Sequence, residues 1–130
     1  MIVDAPPLPD NVLFLSTSAV APTRRREMSG SGFAGLMVLD LHLPQARSLK
    51  DKRQPLRSLR ARLRDAGFSM SEVDFHDKWQ RAQVAVSIVG RRSGDVEDLL
   101  DSALRMFESR PDLEVSVRQR TVLAIEEYED

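Results

Sequence analysis

Hydrophobic positions from residue 34 onward switch between two periods, and each switch marks an element. Leu39, Leu41 and Leu43 alternate with Asp40 and His42, the period of two expected of a strand with one buried face. Leu56, Leu59, Leu63 and Ala66 follow at helical spacing, and Gly67 is placed to end that helix. Ser48 with Asp51 three residues on resembles a capping box. Pro55 is tolerated in a first helical turn and costly further in, which sets the expected start of the regular helix near Asp51 to Gln54. Val73 and Phe75 then alternate with Glu72, Asp74 and His76 as a second strand. Ala82, Val84, Val86 and Ile88 make a third, close enough through Asp77 and Lys78 to pair with it as an antiparallel hairpin. After a turn from Gly90 to Gly94, Val96, Leu99, Leu100, Ala103, Leu104 and Phe107 give an amphipathic helix, with Asp95, Glu97 and Asp98 complementing the positive end of its dipole. Pro111 closes it. Leu113, Val115 and Val117 open a last strand that continues through Thr121 to Ile125.

The order βαββαβ leaves few topologies once crossovers are right-handed, and the commonest is the ferredoxin-like split βαβ. The expected fold is therefore an α+β sandwich with a four-stranded antiparallel sheet, order 4-1-3-2, and two helices on one face. Alternation assigns Leu39, Leu41, Leu43, Val73, Phe75, Ala82, Val84, Val86, Ile88, Val115 and Val117 to the helix side. Asp40, His42, Glu72, Asp74, His76, Arg81, Gln83, Ser87 and Arg118 fall on the open side. This domain occupies residues 33–125. Residues 1–32, with a proline-rich start and the Met28-Ser29-Gly30-Ser31-Gly32 stretch, read as a disordered extension or as sequence upstream of a genuine start. Residues 126–130 read as an acidic tail.

Composition narrows the class. A chain of 130 residues with 42 % hydrophobic content suits a single core. Having no cysteine excludes disulfides, thiolate metal sites and cysteine nucleophiles, and fits a reducing, cytoplasmic setting. The apolar run Val12 to Ala21 lacks a preceding basic segment, since Arg24, Arg25 and Arg26 follow it, so it does not read as a signal peptide. It is also about half the length a membrane span requires. No catalytic or cofactor signature and no small-molecule substrate emerge, so a non-enzymatic module without cofactors is expected.

Charge is where the chain becomes distinctive. Between Arg47 and Arg64 stand eight cations, Arg47, Lys50, Lys52, Arg53, Arg57, Arg60, Arg62 and Arg64, against the single acid Asp51, in a protein whose net charge is −1. A basic helix holds nucleic acid because each phosphate neutralised releases condensed counterions. Arg47, Lys50, Lys52, Arg53, Arg57, Arg60 and Arg64 are thus the candidate nucleic-acid-binding residues. The competing reading is a solvated face whose arginine stems cover apolar surface and whose charges pair elsewhere. Base reading on the open sheet would need aromatic residues on the central strands, and those positions offer none.

Other groupings are weaker. Asp40-Leu41-His42 and Asp74-Phe75-His76 place Asp and His at i and i+2, a workable metal-ligand pairing, but the intervening third strand separates them by roughly 10 Å. Gly90 to Gly94 could cradle a phosphate before a helix, without Walker spacing. Trp79, between the second and third strands, suits a hairpin anchor or a subunit contact. With His42, Asp74, His76 and Arg81 it makes up the candidate interaction surface.

Asp40-Leu41-His42-Leu43-Pro44, Ala46-Arg47-Ser48-Leu49-Lys50-Asp51-Lys52-Arg53, Glu72-Val73-Asp74, Trp79-Gln80-Arg81-Ala82 and Glu108-Ser109-Arg110-Pro111 together resemble the YlxP-like family of bacteria, over residues 34–120. The resemblance implies a ferredoxin-like fold and supplies no catalytic residues. Family genes often lie beside those for transcription-elongation and translation-initiation factors and a ribosome-binding factor, which implies, by association, work on RNA or the ribosome. The expected function is an RNA- or ribosome-associated accessory module using the basic helix. The alternative is a protein-interaction or homodimerisation module using the open sheet or the Trp79 hairpin, with a metal-dependent enzyme a distant third.

Overall fold

A computed structural model describes residues 32–125, so the readings of an N-terminal extension before Gly32 and of an acidic tail lie outside the described residues. The elements are β1 (Phe33–His42), α1 (Leu49–Asp65), β2 (Ser69–Asp74), β3 (Arg81–Gly90), α2 (Ser93–Glu108) and β4 (Glu114–Ala124). They form one antiparallel sheet in the order β2-β3-β1-β4, which is the ferredoxin-like arrangement that the periodicities predict. Met37, Leu39 and Leu41 from β1 and Ala82, Val84 and Val86 from β3 are buried against Leu56, Leu59 and Leu63 of α1 and Val96, Leu100 and Phe107 of α2.

The start of α1 lies earlier than Pro55 suggests. Ser48 is the N-cap, its Oγ accepting the Asp51 N–H at 3.0 Å, while the Asp51 carboxylate accepts the Arg47 N–H at 2.9 Å. These bonds satisfy donors at the helix start and carry the helix through Pro55, which lies buried inside it. The end follows expectation. Gly67 takes φ +94°, its N–H donating to Arg64 O, and Phe68 N–H donates to Leu63 O, the paired bonds of a Schellman motif.

Two strands depart from simple alternation. In β2, Met70 and Glu72 face the helices, and a register shift between Glu72 and Asp74 leaves Val73 as an extra residue, 47 % exposed. The expectation that Val73 points to the core and Glu72 to the open side is therefore corrected; Phe75 lies beyond the strand. In β4 a second bulge, opposite Val38 and Leu39, makes Arg118 the extra residue. Val117 pairs with Leu39 on the helix side, as expected, but on an edge strand it stays partly exposed instead of joining the core.

The seating of α2 depends on Gly35. A Cβ there would lie 2.6 Å from Val96 Cγ1 and 3.1 Å from Leu100 Cδ1, so the helix packs directly on the β1 backbone. Gly35→Ala is expected to destabilise the fold by about 1–3 kcal/mol through this overpacking, read as a lowered urea midpoint. A variant as stable as the native protein would mean that α2 can shift at no cost.

Candidate nucleic-acid interface

Helical geometry divides the cations of α1 into distinct groups. Lys50, Arg53, Arg57, Arg60 and Arg64 are spaced alternately by three and four residues, which aligns them in one stripe along about 21 Å of helix. All five are exposed, and no acid interrupts the stripe. The other flank carries Arg62, while Leu56, Leu59 and Leu63 face the core. Arg47 is exposed just before the N-cap. None of the ion pairs between described residues involves Arg47 or any member of the stripe.

Other arginines are neutralised within the fold. Arg110 pairs with Asp112 at 2.8 Å, and this hydrogen bond raises the Arg110 pKa against the cost of burial while lowering that of Asp112. Burial works against the charge of Arg120, yet its hydrogen bonds to Glu97 and Asp101 leave its pKa raised. Arg118 lies 3.6 Å from Asp40. The stripe shares its lack of such partners among the described residues with Arg62, Lys78, Arg81, Arg91, Arg92 and Arg105, and is set apart from them by its alignment on one helix face.

Lys52 is corrected. It lies in phase with the leucines, four residues before Leu56, and is 2 % exposed. Its Nζ donates to Phe75 O at 2.6 Å and Lys78 O at 2.8 Å, and stands 2.6 Å from Glu72 Oε2. That carboxylate oxygen is buried and has no hydrogen bond of good geometry, so the contact is an ion pair. The helical phase, 52, 56, 59 and 63, is the signal in the sequence that this lysine turns inward. It cannot meet a phosphate; it holds the β2–β3 connection.

That connection, residues 75–80, is fastened at both ends. Phe75 adopts φ +64°, a left-handed conformation that costs a bulky residue energy, and Lys52 holds its carbonyl. Gln80 Nε2 donates to Pro44 O and Ala46 O, and Gln80 O accepts the Leu43 N–H. The loop is thereby tied to the segment that leads into α1. Trp79 stands exposed on it, and the Arg81 guanidinium lies 4.2 Å from the centre of the Phe75 ring. Sequence reasoning passed over Gln80 and the Phe75–Arg81 stack, whose roles follow from the loop's conformation and leave no periodic trace.

The remaining candidates do not converge. His42 Nδ1 is 2.9 Å from Glu114 Oε1, while His76 Nε2 is 3.0 Å from Glu72 O. Asp40 accepts from Gln83, and Asp74 caps the Phe75 N–H. Among the described residues no group of three His, Asp or Glu side chains is placed to hold a metal ion, and no helix is long and apolar enough to cross a membrane.

The open sheet face also has an apolar half, beyond the polar set that alternation assigns to it. Register places Ala34, Leu36 and Val38 of β1, Ala85 and Val89 of β3, and Leu123 of β4 on it, with Val89 68 % exposed. Charged and polar residues occupy the other half.

A sequence profile described as "Protein of unknown function (DUF503)" matches residues 34–120, and the chain belongs to that family. None of the curated proteins matches it.

Proposed function

We propose that this family member binds structured RNA, free or within the ribosome, through the α1 stripe. The observation that carries the reading is the alignment of Lys50, Arg53, Arg57, Arg60 and Arg64 on one exposed face without acids and without ion-pair partners among the described residues. Such a row neutralises successive phosphates without reading sequence. Arg47 extends it at the N-terminal end. The net charge of −1 disfavours indiscriminate coating of nucleic acid, so a folded RNA whose backbone matches the stripe is the better target. No step of chemistry is assigned. Cosedimentation with ribosomes at low and high salt tests the reading, with Arg53→Ala, Arg57→Ala and Arg60→Ala combined as control. Salt-resistant cosedimentation, or none at either salt, would count against ribosomal RNA as the target.

One observation favours a second reading, self-association. The apolar half of the open sheet lies on the side away from both helices and presents Val89 to solvent. Contiguous apolar surface of this kind commonly marks an interaction site. A second copy packed sheet on sheet would cover it, and this supports the open-face version of the module over the Trp79 version. Light scattering at high concentration should then give the mass of a dimer, and Val89→Glu should give a monomer without loss of fold. A native monomer would remove this reading while leaving RNA binding untouched.

A further inference from the structure

An exposed tryptophan is ordinary on a floppy loop, but Trp79 is carried on a fixed one. The residue is 53 % exposed, while both sequence neighbours are anchored. Lys78 O is held by the buried ammonium of Lys52, and Gln80 is held by Pro44, Ala46 and Leu43. The fold thus commits a buried lysine and a left-handed phenylalanine to a loop whose largest side chain it leaves about half exposed. Ordering a ring in advance lowers the entropy lost when something stacks on it.

The surroundings identify what stacks. Gln80 fastens the loop to residues 44 and 46, directly before Arg47, so Trp79 adjoins the N-terminal end of the basic surface. Arg81, exposed at the start of β3 on the open side of the sheet, lies over the Phe75 ring and adds a planar guanidinium two residues from Trp79. Aromatic and guanidinium planes beside cations are the surface on which unpaired bases stack while their phosphates are neutralised. A fully paired duplex keeps its base faces covered, so the occupant is an unpaired nucleotide at a bulge, a loop or an end. We propose that Trp79 stacks on an unpaired base of the RNA whose backbone follows α1, so that the stripe supplies affinity and the loop supplies selectivity. This rests on the RNA-binding reading.

Trp79 is the sole tryptophan of the chain, so intrinsic fluorescence reports the event directly. The full chain is titrated with a blunt RNA duplex and with the same duplex carrying a short bulge. The bulged RNA should quench the fluorescence and bind about tenfold more tightly, as stacking of one base allows. Trp79→Ala should bring the bulged RNA to the affinity of the duplex and leave duplex affinity unchanged, with an unaltered circular dichroism spectrum. Trp79→Phe should keep part of the preference. Equal binding of both RNAs without quenching would overturn the stacking role while the stripe stands, provided the triple arginine variant still weakens both. Failure of the native chain to bind either RNA would overturn the RNA reading and this inference with it. Preference for the bulge that survives in Trp79→Ala would place the selectivity elsewhere.

Discussion

Replacing Lys52 with alanine is expected to lower the stability of the fold by about 3 kcal/mol, a large share of the roughly 5–15 kcal/mol that a domain of this size possesses. The substitution leaves Glu72, with about a fifth of its side chain exposed, beside a void instead of an ammonium. It also deprives Phe75 O and Lys78 O of their lysine donor. Because Phe75 is held at φ +64°, losing that donor also frees the strained residue to relax, so the loop loosens together with the core. Chemical denaturation should show a urea midpoint lower by about 1–2 M. Combining Lys52→Met with Glu72→Leu removes both charges at similar volume and should restore part of the loss. If Lys52→Ala shifts stability by no more than about 0.5 kcal/mol, as exposed substitutions do, the latch has no energetic content.

The second large effect concerns binding. Arg53→Ala, Arg57→Ala and Arg60→Ala together remove three of the five stripe cations, and near physiological salt the affinity for structured RNA should fall by about tenfold or more. The loss should come without unfolding. All three side chains are exposed, alanine is the better helix former, and Leu56, Leu59 and Leu63 remain in place. An unchanged melting curve beside a weakened complex would assign the effect to the surface. Lys52→Ala gives the contrasting pattern, with stability lost first.

What the sequence could disclose follows from which residues obey one rule at a time. Ala82, Val84, Val86 and Ile88 alternate cleanly, and β3 has the predicted face. The Leu56, Leu59 and Leu63 spacing and Gly67 set the core side and end of α1, but its start was hidden, because Pro55 argues for a later beginning than the Ser48 and Asp51 bonds permit. In β2 the apolar rule points the wrong way. Glu72 turns inward because Lys52 meets it there, and Val73 is displaced by the bulge. A buried ion pair between two elements has no signature in either element alone. The extent of the apolar half of the open sheet, Val38 and Ala85 apart, escaped for the opposite reason. Ala34 to Leu39 is apolar on both faces, so no alternation shows which side each residue takes. Of the candidate site, the stripe was legible as a charge run, and its geometry separated five aligned cations from the one that is buried.

The central claim, that aligned cations of α1 contact RNA phosphates, is tested most directly by measuring affinity against salt for the native chain and the triple arginine variant. With the five stripe cations and Arg47 each neutralising a phosphate, the logarithm of the association constant should fall against the logarithm of salt concentration with a slope of about −5, and with three remaining, about −2.5. Equal slopes for the two proteins, or an affinity indifferent to salt, would contradict the account.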